Sequence, residues 1–138
     1  MQIVNIKATN MELTDAIRDY AEGKVLSLKK YVKKFEPVKV SIEVADDSGR
    51  HKQGAFFRCE FTVEVPGDLL RVTQNHEDLY AAIDLAKDEL ARQMRRLKGK
   101  LATKQRRGER LWKRIRRMVP SRKDSENSTG GDEPGYDV

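Results

Sequence analysis

The stretch Phe57-Arg58-Cys59-Glu60-Phe61-Thr62-Val63-Glu64-Val65-Pro66-Gly67-Asp68-Leu69-Leu70-Arg71-Val72 decides the fold. Apolar residues at 57, 59, 61, 63 and 65 alternate with polar ones between them, the period of a strand with one buried face. Pro66-Gly67 suits the centre of a type II turn: proline presets the first torsion and glycine accepts a positive φ at the second. Leu70 and Val72 then continue as another strand, antiparallel to the first. A hairpin with one apolar face needs a cover, and the flanking sequence supplies it.

Upstream, Val38, Val40, Ile42 and Val44 alternate with Lys39, Ser41 and Glu43, which predicts a further strand. Residues 46–55 form a polar loop with two glycines. Gln2–Thr9 predicts the first strand, with Val4, Ile6 and Ala8 on one face and Asn5 and Lys7 on the other. Residues 10–13 turn the chain. Thr14 is a good N-cap, and Asp15 and Asp19 favour a helix N-terminus. The helix is expected from about Asp15 to about Lys34. Its apolar repeat is Ile17, Ala21, Leu28, Tyr31 and Phe35, flanked by Tyr20, Val25 and Val32, and Glu36-Pro37 ends it.

Downstream, Asn75 and Asp78 have capping-box spacing for a second helix. Its seam is Leu79, Ile83, Ala86, Leu90, Met94, Leu97 and Leu101, and it reaches to about Gln105. Arg106-Arg107-Gly108 marks a boundary. Glu109–Val119 has the pattern of a short basic amphipathic helix, with Leu111, Trp112, Ile115, Met118 and Val119 clustered and Pro120 stopping it. The order is βαβββα. An α+β fold follows, a four-stranded sheet with both helices packed on one face. Residues 1–105 make the domain. Residues 106–138 are a basic-then-acidic tail, expected to be largely disordered when free.

The 138 residues carry a formal net charge of +6, unevenly spread. Residues 1–90 hold 13 Lys/Arg and 16 Asp/Glu, residues 91–123 hold 15 Lys/Arg and the single acid Glu109, and residues 124–138 hold five acids and no base. So dense a basic block points to a polyanion, nucleic acid or an anionic surface. The lone Cys59 excludes an intrachain disulfide framework and a multi-cysteine zinc site, and two histidines supply a His-based metal site poorly. No metal and no cofactor is expected. There is no run of ~20 apolar residues for a membrane span. The N-terminus lacks a signal-peptide layout. A cytoplasmic protein without a membrane partner is expected.

Catalytic patterns are missing: no Gly-rich phosphate loop, no HExxH, no Gly-x-Ser-x-Gly elbow. Cys59 falls on the apolar side of its strand as a structural thiol. His51 lies in the polar loop, and His76 at the helix entrance reads as a capping-region residue. Asp78 and Asp84, six apart on a helix, project to different sides and do not form an acid–base pair. The chain is therefore expected not to be an enzyme.

The basic constellation is richer. At about 100° per residue, Lys87, Ala91, Arg95 and Lys98 line one flank of the second helix's seam. Gln93, Arg96 and Lys100 line the other, and Arg92 faces away. Six cations, Arg92, Arg95, Arg96, Lys98, Lys100 and Lys104, lie between Ala91 and Gln105 with no acid among them. On the first helix, Lys24 projects into the apolar face near Leu28; it either snorkels out between the helices or marks a groove. Lys29, Lys30, Lys33 and Lys34 decorate that helix's end. Side by side, the helices bring these lysines and the arginines to one surface. Phosphate recognition without an aromatic stacking platform suits folded RNA or duplex backbone better than single strands.

Asp78-Leu79-Tyr80-Ala81-Ala82-Ile83-Asp84, followed by Leu90-Ala91-Arg92-Gln93-Met94, resembles the second-helix motif of the ribosome hibernation-promoting factor family, also called ribosome-associated inhibitor or sigma-factor modulation proteins. Residues 13–20, Lys24-Val25 and Leu28-Lys29-Lys30-Tyr31 are similar to its first helix. The resemblance covers roughly residues 1–105. It implies a fold similar to double-stranded-RNA-binding domains. It also implies docking in the small-subunit cleft of the ribosome, over the mRNA and tRNA sites, which inhibits translation in stressed or stationary cells. Lys24, Lys30, Arg92, Arg95, Lys98 and Lys100 fall at or near family positions that face ribosomal RNA; Glu89 departs, where a lysine is expected. Long members add a dimerising domain, and the 33 residues after Gln105 have no strand pattern to build one. The chain thus looks like a short form with a tail, a monomer off the ribosome. The other function class open at this point is a protein-interaction module that modulates a transcription or stress factor.

Overall fold

The computed structural model describes residues 1–50 and 54–118. The elements are β1 (Gln2–Thr9), α1 (Asp15–Leu26), two 3-10 turns (Lys29–Tyr31 and Lys33–Phe35), β2 (Lys39–Asp46), a 3-10 turn (Ser48–Arg50), β3 (Phe57–Val65), β4 (Asp68–His76) and α2 (Leu79–Arg117). This is the expected βαβββα order. The chain divides into two units, Met1–Gly99 and Lys100–Val138.

In the first unit the sheet order is β1-β2-β3-β4. β1 runs parallel to β2, which requires the crossover that α1 provides. The β2–β3 and β3–β4 pairs are antiparallel. Val65 pairs with Asp68 across a two-residue turn, and Gly67 takes φ +83°, the positive torsion a type II turn demands. The inner face presents Val40, Ile42, Val44, Cys59, Phe61, Val63 and Val72 to Ala21, Val25 and Leu28 of the α1 segment and to Leu79, Ile83, Ala86, Leu90 and Met94 of α2.

Four local expectations are corrected. Val4 is half exposed, while Ile3 and Ile6 pack against the core. The β1–β2 register slips between Ile3 and Asn5, and such a bulge turns the next residue over without breaking the strand. α1 ends at Leu26, well short of Lys34. The Ser27 hydroxyl donates to the Lys24 carbonyl at 2.6 Å, and the following backbone bonds span three residues, as in Tyr31 N–H to Leu28 O and Val32 N–H to Lys29 O. Val25 and Val32, expected only to flank the core, are fully buried in it.

The start of α2 also differs. Asn75 belongs to β4, opposite Arg58, and the cap is Asp78, whose carboxylate accepts the Tyr80 N–H at 3.1 Å. His76 Nδ1 accepts the Asp78 N–H at 3.0 Å, the capping-region role expected of it. Finally, α2 runs unbroken through Arg106-Arg107-Gly108 to Arg117, in place of a boundary and a separate short helix. One helical glycine costs ~1 kcal/mol relative to alanine, and the surrounding Arg, Lys, Leu and Gln are good helix formers. His51 and residues 119–138 lie outside the described residues.

Candidate nucleic-acid interface

α1 and α2 are joined at one end by aromatic and ionic contacts. Tyr20 and Tyr80 meet edge to face with centroids 4.9 Å apart. The Tyr20 hydroxyl donates to Asp84 Oδ1 at 2.8 Å, and Lys24 Nζ stands 3.3 Å from the same oxygen and 5.1 Å from the Tyr20 ring centroid. The Asp84 carboxylate holds the Tyr20 phenol and the Lys24 ammonium above their ordinary pKa values, by hydrogen bonding and charge. Lys24 thus resolves as an interhelical residue with a carboxylate partner.

Toward the other end, the chain leaving α1 and the middle of α2 enclose an open cleft of about 340 Å3. Lys30, Tyr31, Lys87, Asp88, Arg92 and Arg95 contribute to its lining, together with Ser27, Leu28 and Ala91. The early end of α1 makes this geometry, because the 3-10 turn at Lys29–Tyr31 carries Lys30 and Tyr31 to the cleft. Lys30 Nζ lies 5.3 Å and the Arg95 guanidinium carbon 5.5 Å from the Tyr31 ring centroid, so one ring holds two cations from two elements. Arg95 first, then Lys30, depress the Tyr31 phenol pKa.

Arg92, expected to face away from the seam, lines this cleft. Its guanidinium is held by Glu89, with Nη2 at 2.6 Å and Nε at 3.0 Å from Oε1. Glu89 also lies 3.7 Å from Arg96, and Arg92 and then Gln93 keep its carboxyl below the usual glutamate range. The acid at 89 therefore fixes the direction of Arg92.

The structure gathers four of the expected site residues, Lys30, Lys87, Arg92 and Arg95, around the cleft. Lys29, Lys33, Arg96 and Lys98 are exposed in the same unit but do not line it. Lys100 and Lys104 belong to the second unit. Tyr31, a member of the expected apolar repeat, packs against the core and also carries these cations, a second role that its adjacency to Lys29-Lys30 signals in the sequence.

The outer sheet face is occupied differently. Arg58 meets Asp47 at 2.9 Å, Glu60 at 3.3 Å and Glu43 at 3.4 Å, and Thr9 donates to Glu43 at 2.7 Å. This face is an ion-pair network in which carboxylates outnumber cations. Cys59, on the inner face, is fully buried, and burial pushes its thiol up to about 12. Among the described residues no group of three His, Cys, Asp or Glu is placed to hold a metal ion, and no helix is long and apolar enough to cross a membrane.

Fold and cleft together define a βαβββα domain with a cationic cleft between its helical segments. Residues 4–102 match the model of the sigma 54 modulation protein / S30EA ribosomal protein family, and the chain belongs to that family. It is 36% identical over 98 residues to a ribosome hibernation promotion factor of Deinococcus radiodurans, covering 71% of this chain and 50% of the relative. It is 36% identical over 102 residues to a ribosome hibernation promoting factor of Azotobacter vinelandii, covering 74% and 88%. The chain thus spans half the length of the first and most of the second. The N-terminal domain of Thermus thermophilus Protein Y superposes with a TM-score of 0.58 at 34% identity, covering 70% of this chain and 99% of that one. A ribosomal subunit interface protein from Coxiella burnetii shares the fold, with a TM-score of 0.56 at 17% identity, covering 72% and 99%.

Proposed function

We propose that this chain is a ribosome hibernation factor. Its first unit docks on ribosomal RNA in the cleft of the small subunit, where it blocks the mRNA and tRNA sites and inhibits translation under stress or in stationary phase. The observation that carries the reading is the convergence of Lys30, Lys87, Arg92 and Arg95 on one cleft around Tyr31. The names of the relatives support it. Its action is steric occupancy in the cytoplasm, without catalysis or a cofactor, and it is a monomer off the ribosome. Residues 1–105 are the binding domain, and residues 106–138 a separable tail. Lys24, Lys29, Lys33, Arg96 and Lys98 of the first unit add phosphate contacts, and so do Lys100 and Lys104 of the second. Phosphate contacts release counterions, so affinity falls steeply with salt. Co-sedimentation of the full chain with purified small subunits at two salt concentrations tests this. Salt-sensitive pelleting is expected; the absence of pelleting at low salt overturns it.

A further inference from the structure

The second unit carries a surface of which this reading uses only Lys100 and Lys104. In Lys100–Met118, nine cations stand against the one acid Glu109. From 106 to 118 every described side chain is exposed, including Leu111 at 54%, Trp112 at 55%, Ile115 at 42% and Met118 at 74%. At about 100° per residue, Leu111, Ile115 and Met118 share one stripe, with Trp112 at its edge. One turn after Trp112, the Arg116 guanidinium lies 5.7 Å from the indole centroid, so a cation is fixed beside an exposed aromatic face.

The geometry points to a second RNA site on Lys100–Met118, which takes a single strand, with Trp112 and Arg116 as the stacking platform and the flanking cations on its phosphates. It rests on the ribosome reading only for where such RNA is met. A duplex keeps its bases stacked inward; it engages the cations and leaves the apolar stripe in water. A single strand offers base faces to the indole and the aliphatic side chains while its backbone meets the charge. In the first unit's cleft the tyrosine is half-buried and carries two cations, Lys30 and Arg95, whereas Trp112 is exposed and carries one, so the two surfaces differ in kind. An anionic membrane fits less well. Lys104, seven residues before Leu111, stands in line with the stripe and limits it to two turns, and Arg116 rides on the ring that lipid would have to take in.

Trp112 is the chain's one tryptophan, so its fluorescence reports this surface alone. The full chain is titrated with a ten-nucleotide oligouridylate, with a duplex of equal length, and with phosphatidylglycerol vesicles. Saturable quenching by the oligouridylate is expected. Trp112→Ala, followed by polarisation of a labelled oligouridylate, should weaken binding about 5- to 150-fold, the worth of one stacked base, and Trp112→Phe should restore most of it. Three results overturn the site: unchanged affinity in Trp112→Ala, stronger quenching of Trp112 by the duplex than by the single strand, or a blue shift on vesicles without quenching by the oligouridylate. Co-sedimentation of the parent chain with ribosomes is scored separately. Pelleting without Trp112-dependent oligouridylate binding removes this site alone. Trp112-dependent binding without pelleting removes the hibernation reading alone.

Discussion

Arg95 of α2 lies over the ring of Tyr31, its guanidinium carbon 5.5 Å from the centroid, and so joins the 3-10 turn after α1 to the middle of the long helix. The same ring carries Lys30. Tyr31 therefore sets the spacing of two cations that come from segments more than sixty residues apart in sequence. A flexible lysine or arginine loses side-chain entropy when it binds phosphate; one already rested on an aromatic face loses less.

Replacing Arg95 and Lys98 together by glutamate should weaken small-subunit binding by orders of magnitude. Both side chains are exposed, and such changes are usually worth within about 0.5 kcal/mol of stability each. The lost Arg95–Tyr31 contact adds about 0.5–1 kcal/mol. Pelleting assays paired with thermal melts check this: a folded double variant that pellets like the parent removes these cations from the interface.

The core behaves oppositely. Ile83→Ala or Leu90→Ala deletes a fully buried side chain between α2 and the sheet, and each should destabilise the fold by roughly 2–5 kcal/mol through lost transfer energy and a cavity. Urea unfolding measures it. Midpoints equal to the parent's in both variants would place this seam outside the core.

Asp84 links Tyr20 and Lys24, and its removal should show at alkaline pH. Both partners have raised folded-state pKa values, so the fold favours their protonated forms. That contribution is complete below their ordinary values of 10.0 and 10.5 and disappears as pH rises through the folded values. Asp84→Asn should therefore lower stability at pH 7–9 and flatten its fall above pH 10. Parallel denaturation curves for parent and variant from pH 7 to 11 would exclude this linkage.

The Cys59 thiol, pushed up to about 12 by burial, should resist alkylation in the native protein at pH 8 and react once the chain is unfolded. A raised thiol pKa also means stability lost as pH climbs from the ordinary 9.0 toward the folded value. Iodoacetamide labelling followed by mass measurement, with and without urea, reads the first effect. Rapid labelling of the native chain would contradict the buried placement.

What the sequence by itself determined was everything with a short period. The alternation in 38–44 and 57–65, the Pro66-Gly67 turn, the Thr14 cap and the seam from Leu79 to Met94 each follow from nearest neighbours along the chain, and the structure has all of them. Tertiary structure decided where periodicity is interrupted. The bulge at Val4 depends on pairing with β2, where Ile3 meets Val40 and Asn5 meets Ser41. The end of α1 at Leu26 cannot be read from apolar spacing, because Val25, Leu28 and Val32 would share one face of a regular helix as well; the switch to bonds that span three residues appears only in the folded chain. Glu89 and Arg92 are a local pair three residues apart, but the cleft they border exists only because the segment after α1 comes to α2, where Tyr31 leaves the α-helical repeat to lie beneath Arg95. Such contacts are set by long-range packing, whose energy exceeds the few tenths of a kcal/mol by which local propensities differ.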